Sequence, residues 1–210
     1  AAVADATDDA AAGVRWLRDH ADEFGIDPDA IAVGGAQGGA AAAFGLAHVV
    51  GAPIAAAVPV DGVGFGRPDA GEPPFLAFHG TQSTVAPAHL SEWACTRARA
   101  KGTTCGTTVL QTSFEDLVHD RQRAIAAEAS AFLADVVLAP QGYVEPSGRD
   151  WGGSGAPAGP SGPAVDPLGT VPGAPLIRTV ASMATGALPV TGADVGQLVA
   201  VALGLCLVGG

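Results

Sequence analysis

The sequence predicts an α/β layered domain on a parallel sheet of about four strands, and three observations predict it. Residues 31–33, 54–60, 75–78 and 107–110 are short apolar or β-branched runs bounded by Gly, Pro or Asp, as strands buried on both faces would be. Helically spaced segments separate most of them. The resulting order (helix, strand, helix, strand, strand, helix, strand, helix) is what crossover connections between parallel strands produce.

Taken in order, Val3, Ala10, Leu17 and Phe24 repeat at every seventh position, with Val14 and Ala21 between them. They place one apolar stripe on a helix that stops near Gly25. The first strand, 31–33, runs into Gly34, Gly35, Ala36, Gln37, Gly38 and Gly39, a turn whose glycines permit strained backbone and close approach of another group. Helices are expected near 38–50, 87–101 and 121–138. Trp16, Trp93 and Phe44 fall on helices and read as packing groups.

Composition limits the core and the partners. Hydrophobic residues make up 48% of the 210, but 44 are Ala and another 30 residues are Gly, so little side-chain volume is available to bury. The net charge of −11, with only 10 Lys and Arg scattered along the chain, offers no cationic surface for phosphates or anionic lipid. Neither nucleic-acid binding nor stable membrane docking is expected. No C-x-x-C or H-E-x-x-H spacing occurs, so no metal and no cofactor are expected. Three cysteines allow three pairings. Cys95 with Cys105 would close one helix-to-strand connection, the alternative being two buried reduced thiols, and Cys206 lies in an apolar tail.

Composition changes near residue 140. Residues 140–175 hold 8 Pro and 9 Gly, too few large apolar groups to offset the entropy of ordering them, and read as a semi-stiff disordered tether. The organisation expected is a domain over 1–139, a linker over 140–187 and an apolar C-terminal segment over 188–210. The chain starts at Ala1 with no Met, basic start or apolar signal core, so a targeting segment is expected to have been removed or to lie outside it.

The stretch GVRWLRDHADEFGIDPDAIAVGGAQGGAAAAFGLAH resembles the helix, strand and nucleophile elbow of the α/β-hydrolase superfamily, in its carboxylesterase-like branch. PPFLAFHGTQSTVAP and FEDLVHD are similar to its acid-bearing and histidine-bearing loops. The resemblance implies the carboxyl-terminal portion of that fold. It sets the G-x-S-x-G elbow on Gly35, Ala36, Gln37, Gly38 and Gly39, with Gln37 where the nucleophilic serine stands and the Gly38 amide as one oxyanion donor. The H-G-T-x-D pattern falls on His79, Gly80, Thr81, Gln82 and Ser83, with Ser83 at the acid position. His119 takes the place of the general base. Asp61 ends the second strand, where some members carry their acid, and is the alternative orienting group.

A carboxamide nitrogen is delocalised into its carbonyl, so Gln37 cannot form an acyl-enzyme. What the resemblance implies is therefore an esterase-like domain impaired in catalysis, whose pocket binds a small ester, peptide or glycan ligand. Two alternatives stand beside it: a working ester or amide hydrolase with Ser83 or Ser113 as nucleophile, and a surface stalk or binding module.

Leu188, Pro189, Val190, Thr191 and Gly192 match the L-P-x-T-G pentapeptide and resemble the sorting signal of Gram-positive surface proteins. The resemblance implies cleavage between Thr191 and Gly192 by a sortase, attachment to peptidoglycan, an extracellular wall-anchored location, and only transient membrane contact through the tail. Only 13 residues follow Gln197, short of the ~20 that span a bilayer, and no Lys or Arg follows Arg178. Both ends are expected to be truncated. An extracellular location also favours the Cys95–Cys105 bridge.

Overall fold

The computed structural model describes residues 2–62, 66–141, 151 and 201–204. Helix α1 (Ala2–Asp19) and the single turn α2 (Ala21–Phe24) lead to strand β1 (Ala32–Ala36). Helix α3 (Gly38–His48), β2 (Ala56–Val60), β3 (Phe75–Gly80), α4 (His89–Ala100) and β4 (Cys105–Leu110) follow. The short helix α5 (Phe114–His119) and α6 (Gln122–Leu133) come next, α6 continuing through a π turn (Ala134–Leu138) and a 3₁₀ turn to Gln141. All strand pairs are parallel, in the order β4-β3-β2-β1-β5, where β5 is Val201–Gly204 beside β1.

Period-two alternation divides the sheet between two cores. Val33, Ala57, Phe75, Ala77 and Cys105 face α1, α3 and α4. Ala32, Ala56, Val58, Leu76 and Phe78 face α5, α6 and the π turn. The largest fully buried side chains are Phe44 and Phe75 on the first side and Phe78 and Phe132 on the second; burying each such ring is worth about 1.5–3 kcal/mol. The stretch Gln122–Gln141 is long and apolar enough to cross a membrane by length and composition. Of it, Phe132, Leu133, Val137 and Leu138 are buried in the second core, and the rest is partly buried or exposed.

Cys95 on α4 and Cys105 on β4 form the expected disulfide, with Cα atoms 5.6 Å apart. Cys206 and the motif residues Leu188, Pro189, Val190, Thr191 and Gly192 lie outside the described residues.

Three expectations need correction. The first helix breaks at His20, whose ring nitrogen Nδ1 bonds the Trp16 carbonyl at 2.8 Å, and only then does the turn α2 run to a left-handed Gly25 with φ 61°. That break turns Phe24 out of the stripe: it is 48% exposed and lies 5.6 Å from the ring of Trp16, itself 49% exposed. Trp93 is half exposed as well, so of the three aromatic groups read as packing only Phe44 is buried. Strand β1 extends through Gly34 and Gly35, because the ladder to Val58 and Pro59 of β2 outweighs the poor strand propensity of glycine.

At the amino-terminal end of the sheet, His48 closes α3 with its side chain fully buried between Phe44 and Phe75. Its Nδ1 meets Glu72 at 2.8 Å, and Nε2 has no hydrogen-bond partner among the described residues. Burial holds the imidazole below its ordinary value of 6.5, and the Glu72 carboxylate offsets part of that. The unfolded chain therefore takes up a proton below about 6.5 that the folded chain refuses, so stability should fall as pH drops through that value. Urea midpoints at about pH 7.5 and about pH 5.5 check this: the drop should be smaller in His48→Gln, and an equal drop in both proteins would refute the assignment.

Candidate functional site

The carboxyl ends of β1, β2 and β3 carry the chemistry-bearing groups, where helix N-termini and loops converge in folds of this class. Gln37 sits between β1 and α3 with φ 49° and ψ −111°, a conformation that side chains other than glycine's rarely adopt. Two bonds hold it there. Its N–H donates to Val60 O at 2.9 Å, continuing the sheet ladder, and its carbonyl accepts from Ala41 N–H at 3.0 Å, starting the helix. The turn is tight because Gly35 and Gly39 touch through their backbones: a Cβ on Gly35 would lie 2.4 Å from the carbonyl carbon of Gly39. Gly62 closes the other side, where a Cβ would come 2.7 Å from Gln37 O.

The Gln37 side chain makes no capping bond to α3, so the turn is not held by a polar cap. Gly38 opens the helix on the exposed side, with nothing near the place a Cβ would occupy. Backbone geometry therefore displays a carboxamide at the tip of a strained strand-to-helix turn.

Asp61 follows β2 and is the other non-glycine residue at positive φ, 55°, among the described residues. It is completely buried. Its Oδ1 accepts the Gly80 N–H at 3.1 Å and its Oδ2 accepts the Ser83 hydroxyl at 2.8 Å, so one carboxylate joins the end of β2 to the turn after β3. His79 lies behind it, also fully buried, with Nε2 3.7 Å from Asp61 Oδ1. The Ala86 carbonyl, 2.8 Å from Nε2, can only accept and so requires a proton on that nitrogen, while Nδ1 is hydrogen-bonded to Ser91 Oγ at 2.9 Å. His79 thus ties β3 to the turn and to α4.

Ser83 is half-buried, and its oxygen also receives the N–H groups of Val85 and Ala86 at 3.3 and 3.4 Å. Ser113 is the N-cap of α5, accepting Asp116 N–H at 3.2 Å and donating to the Asp116 carboxylate at 3.0 Å. Neither hydroxyl is hydrogen-bonded to an imidazole.

His119 is the main departure from the sequence reading. The segment that carries it is not a loop but helix α5, and His119 is its exposed last residue, making no hydrogen bond or ion pair with any described residue. The structure brings Gln37, Asp61, Ser83 and His79 to one end of the sheet, and it leaves His119 unconnected to Asp61 and Ser83. His79 and Ser91 are the members of the network that the sequence reading passed over; the only signal for His79 was its place in the H-G-T-x-x run. No group of three or more potential metal ligands occurs among the described residues.

No protein family and no curated protein matches the sequence. Solved structures do. Esterase 2 of Thermogutta terrifontis, phosphoramylated by tabun, superposes with a TM-score of 0.57 at 21% identity over 64% of this chain and 65% of that one. Its apo form gives 0.53 at 24% identity over 69% and 68%, and its native form 0.54 at 22% over 70% and 66%. The chain thus spans about two thirds of the length of that esterase. At these identities the likeness speaks for architecture, and together with the parallel sheet, the helices on both faces and the strained strand-to-helix turn it makes this chain a partial α/β-hydrolase fold.

Proposed function

We propose that the chain is a surface-displayed, esterase-like domain that binds a small ester, peptide or glycan ligand and is impaired in covalent ester hydrolysis. The observation that carries this reading is the side chain at the elbow. Its backbone has the geometry that elsewhere presents a nucleophile, but the group presented is the amide of Gln37. An acyl-enzyme needs an oxygen or sulfur whose proton an adjacent base removes. Neither Gln37 nor the two serines in these loops has an imidazole partner; Ser83 donates to Asp61 and Ser113 caps a helix. Loss of a triad nucleophile leaves only about 10³–10⁴ over water, from binding and oxyanion donors.

The competing reading, a working hydrolase with a rearranged site, draws on Asp61: its carboxylate lies within hydrogen-bond distance of the residue at the usual acid position, so the negative charge is moved and not lost. One experiment separates the two. The full chain treated with a fluorophosphonate should remain unlabelled while a serine esterase in the same tube is labelled. A covalent adduct on Ser83 or Ser113, located by peptide mass spectrometry, would establish the active reading instead.

Display on the cell wall rests on Leu188, Pro189, Val190, Thr191 and Gly192, with the Pro- and Gly-rich stretch ahead of them and the apolar run behind. The disulfide agrees with an oxidising compartment. Processing would require Val201–Gly204 to leave the edge of β1. Incubation with a sortase and triglycine should yield a product that ends at Thr191 and carries the added glycines. A chain that keeps its full mass while a control substrate is consumed would exclude wall attachment by this route.

A further inference from the structure

We infer that Trp151 is a clasp on the outer edge of β4, so that the contacts holding the folded unit together include Trp151 and do not end with α6. Among the described residues β4 is the last strand of the sheet on its side. Along it, Thr104 O and Leu110 O point inward to the N–H groups of Phe75 and Thr81. Residues out of phase with these, Cys105 among them, turn their peptide groups away from β3. Left alone, such groups are a template for the strand of another chain.

At Cys105 both outward groups are occupied. The N–H donates to the carbonyl oxygen of Trp151 at 3.1 Å, and the C=O accepts from the Arg99 guanidinium at 3.1 Å. The sulfur is bonded to Cys95, so the residue that receives the clasp is itself fastened to α4.

The indole supplies two further attachments. Nε1–H donates to Asp135 Oδ2 in the π turn at 2.8 Å, and the ring meets Phe132 of α6 edge to face, with centroids 5.2 Å apart. It lies over Gly106, where a Cβ would come 3.0 Å from Cε3. Backbone, indole N–H and indole ring are thus held by β4, the π turn and α6 respectively. A tryptophan that only filled a surface groove would need the ring contact alone; a main-chain bond to the edge strand fixes where the chain crosses it.

The test is amide hydrogen exchange on the full-length chain. In the native protein Cys105 N–H should be protected, and in Trp151→Ala it should exchange at least about tenfold faster, while Val33 and Val58 in the sheet interior keep their rates. Should Trp151→Ala fail to fold, Asp135→Ala, which removes the indole's acceptor and leaves the ring, is read at the same amide and should also speed its exchange. Protection of Cys105 equal to that of the native protein, in whichever variant folds, would overturn the clasp.

Discussion

Gly35→Ala should strip the domain of a large share of its stability, whereas Gly38→Ala, three residues on, should be nearly silent. A Cβ at Gly35 would sit 2.4 Å from both the carbonyl carbon and the carbonyl oxygen of Gly39 and 2.9 Å from its Cα. These are backbone atoms, so no side-chain rotation relieves the overlap. Relief would require the first turn of α3 to move off β1. That turn is fixed from two sides, by Gln37 N–H on Val60 and by Gln37 O beneath Ala41 N–H, and Gly62 already presses against the same carbonyl. Ordinary core overpacking costs about 1–3 kcal/mol; a clash between two backbones pinned in this way should cost about 4 kcal/mol or more, a large share of the 5–15 kcal/mol available to a typical domain. At Gly38 nothing lies within 4 Å of the place a methyl group would take, and alanine is the better helix former, so the change should stay within about 0.5 kcal/mol. Urea unfolding followed by far-UV circular dichroism distinguishes the two. A Gly35→Ala midpoint equal to that of the native protein would mean that close backbone approach does not build this turn.

That contrast also shows what the sequence could and could not disclose. The alternation of apolar runs with helical periods located β1 to β4 and the four longer helices α1, α3, α4 and α6, because buried parallel strands are continuous apolar runs and because Gly25 stops the first helical stretch in a left-handed conformation. Glycine crowding around Gln37 marked the strained turn for the same local reason. Helix α5 was hidden although its signal was present: Ser113 followed by Asp116 is a capping pattern, and the structure shows its forward bond, Asp116 N–H to Ser113 Oγ, with the Ser113 hydroxyl donating in turn to the Asp116 carboxylate. Reading that stretch as a loop put His119 in a network with which it makes no hydrogen bond. The outward turn of Phe24 follows the break at His20, where the backbone leaves the helical conformation and interrupts a seven-residue repeat that looks continuous on paper. Asp61 is a different case. Its place after β2 was visible, but its burial and its bond to a residue 22 positions away arise only when the ends of β2 and β3 come together, and no local pattern encodes that.

Removing the Asp61 carboxylate should therefore cost more than any other polar substitution at this end of the sheet. Asp61→Ala leaves the Gly80 N–H, a buried donor, without its acceptor and frees the Ser83 hydroxyl from its strongest partner. Hydrogen bonds to a charged group are each worth about 1.5–3 kcal/mol, and an orphaned buried donor keeps its full desolvation penalty, so a loss of about 2–4 kcal/mol is expected. Asp61→Asn should recover much of this: the amide oxygen can still accept from Gly80, and asparagine tolerates the φ of 55° that the position demands. Ser83→Ala should cost less, about 1 kcal/mol, because its hydroxyl is only half-buried and the carboxylate retains Gly80. The decisive quantity is the coupling in the Asp61→Ala, Ser83→Ala double-mutant cycle. If the carboxylate and the hydroxyl form one unit, the double variant should be about 0.5–3 kcal/mol more stable than the sum of the single losses predicts. Strict additivity would detach Ser83 from Asp61 and remove the support for a negative charge relocated to the family's acid position. The cycle is read in stability and needs no substrate, so its outcome stands whether or not the domain hydrolyses an ester.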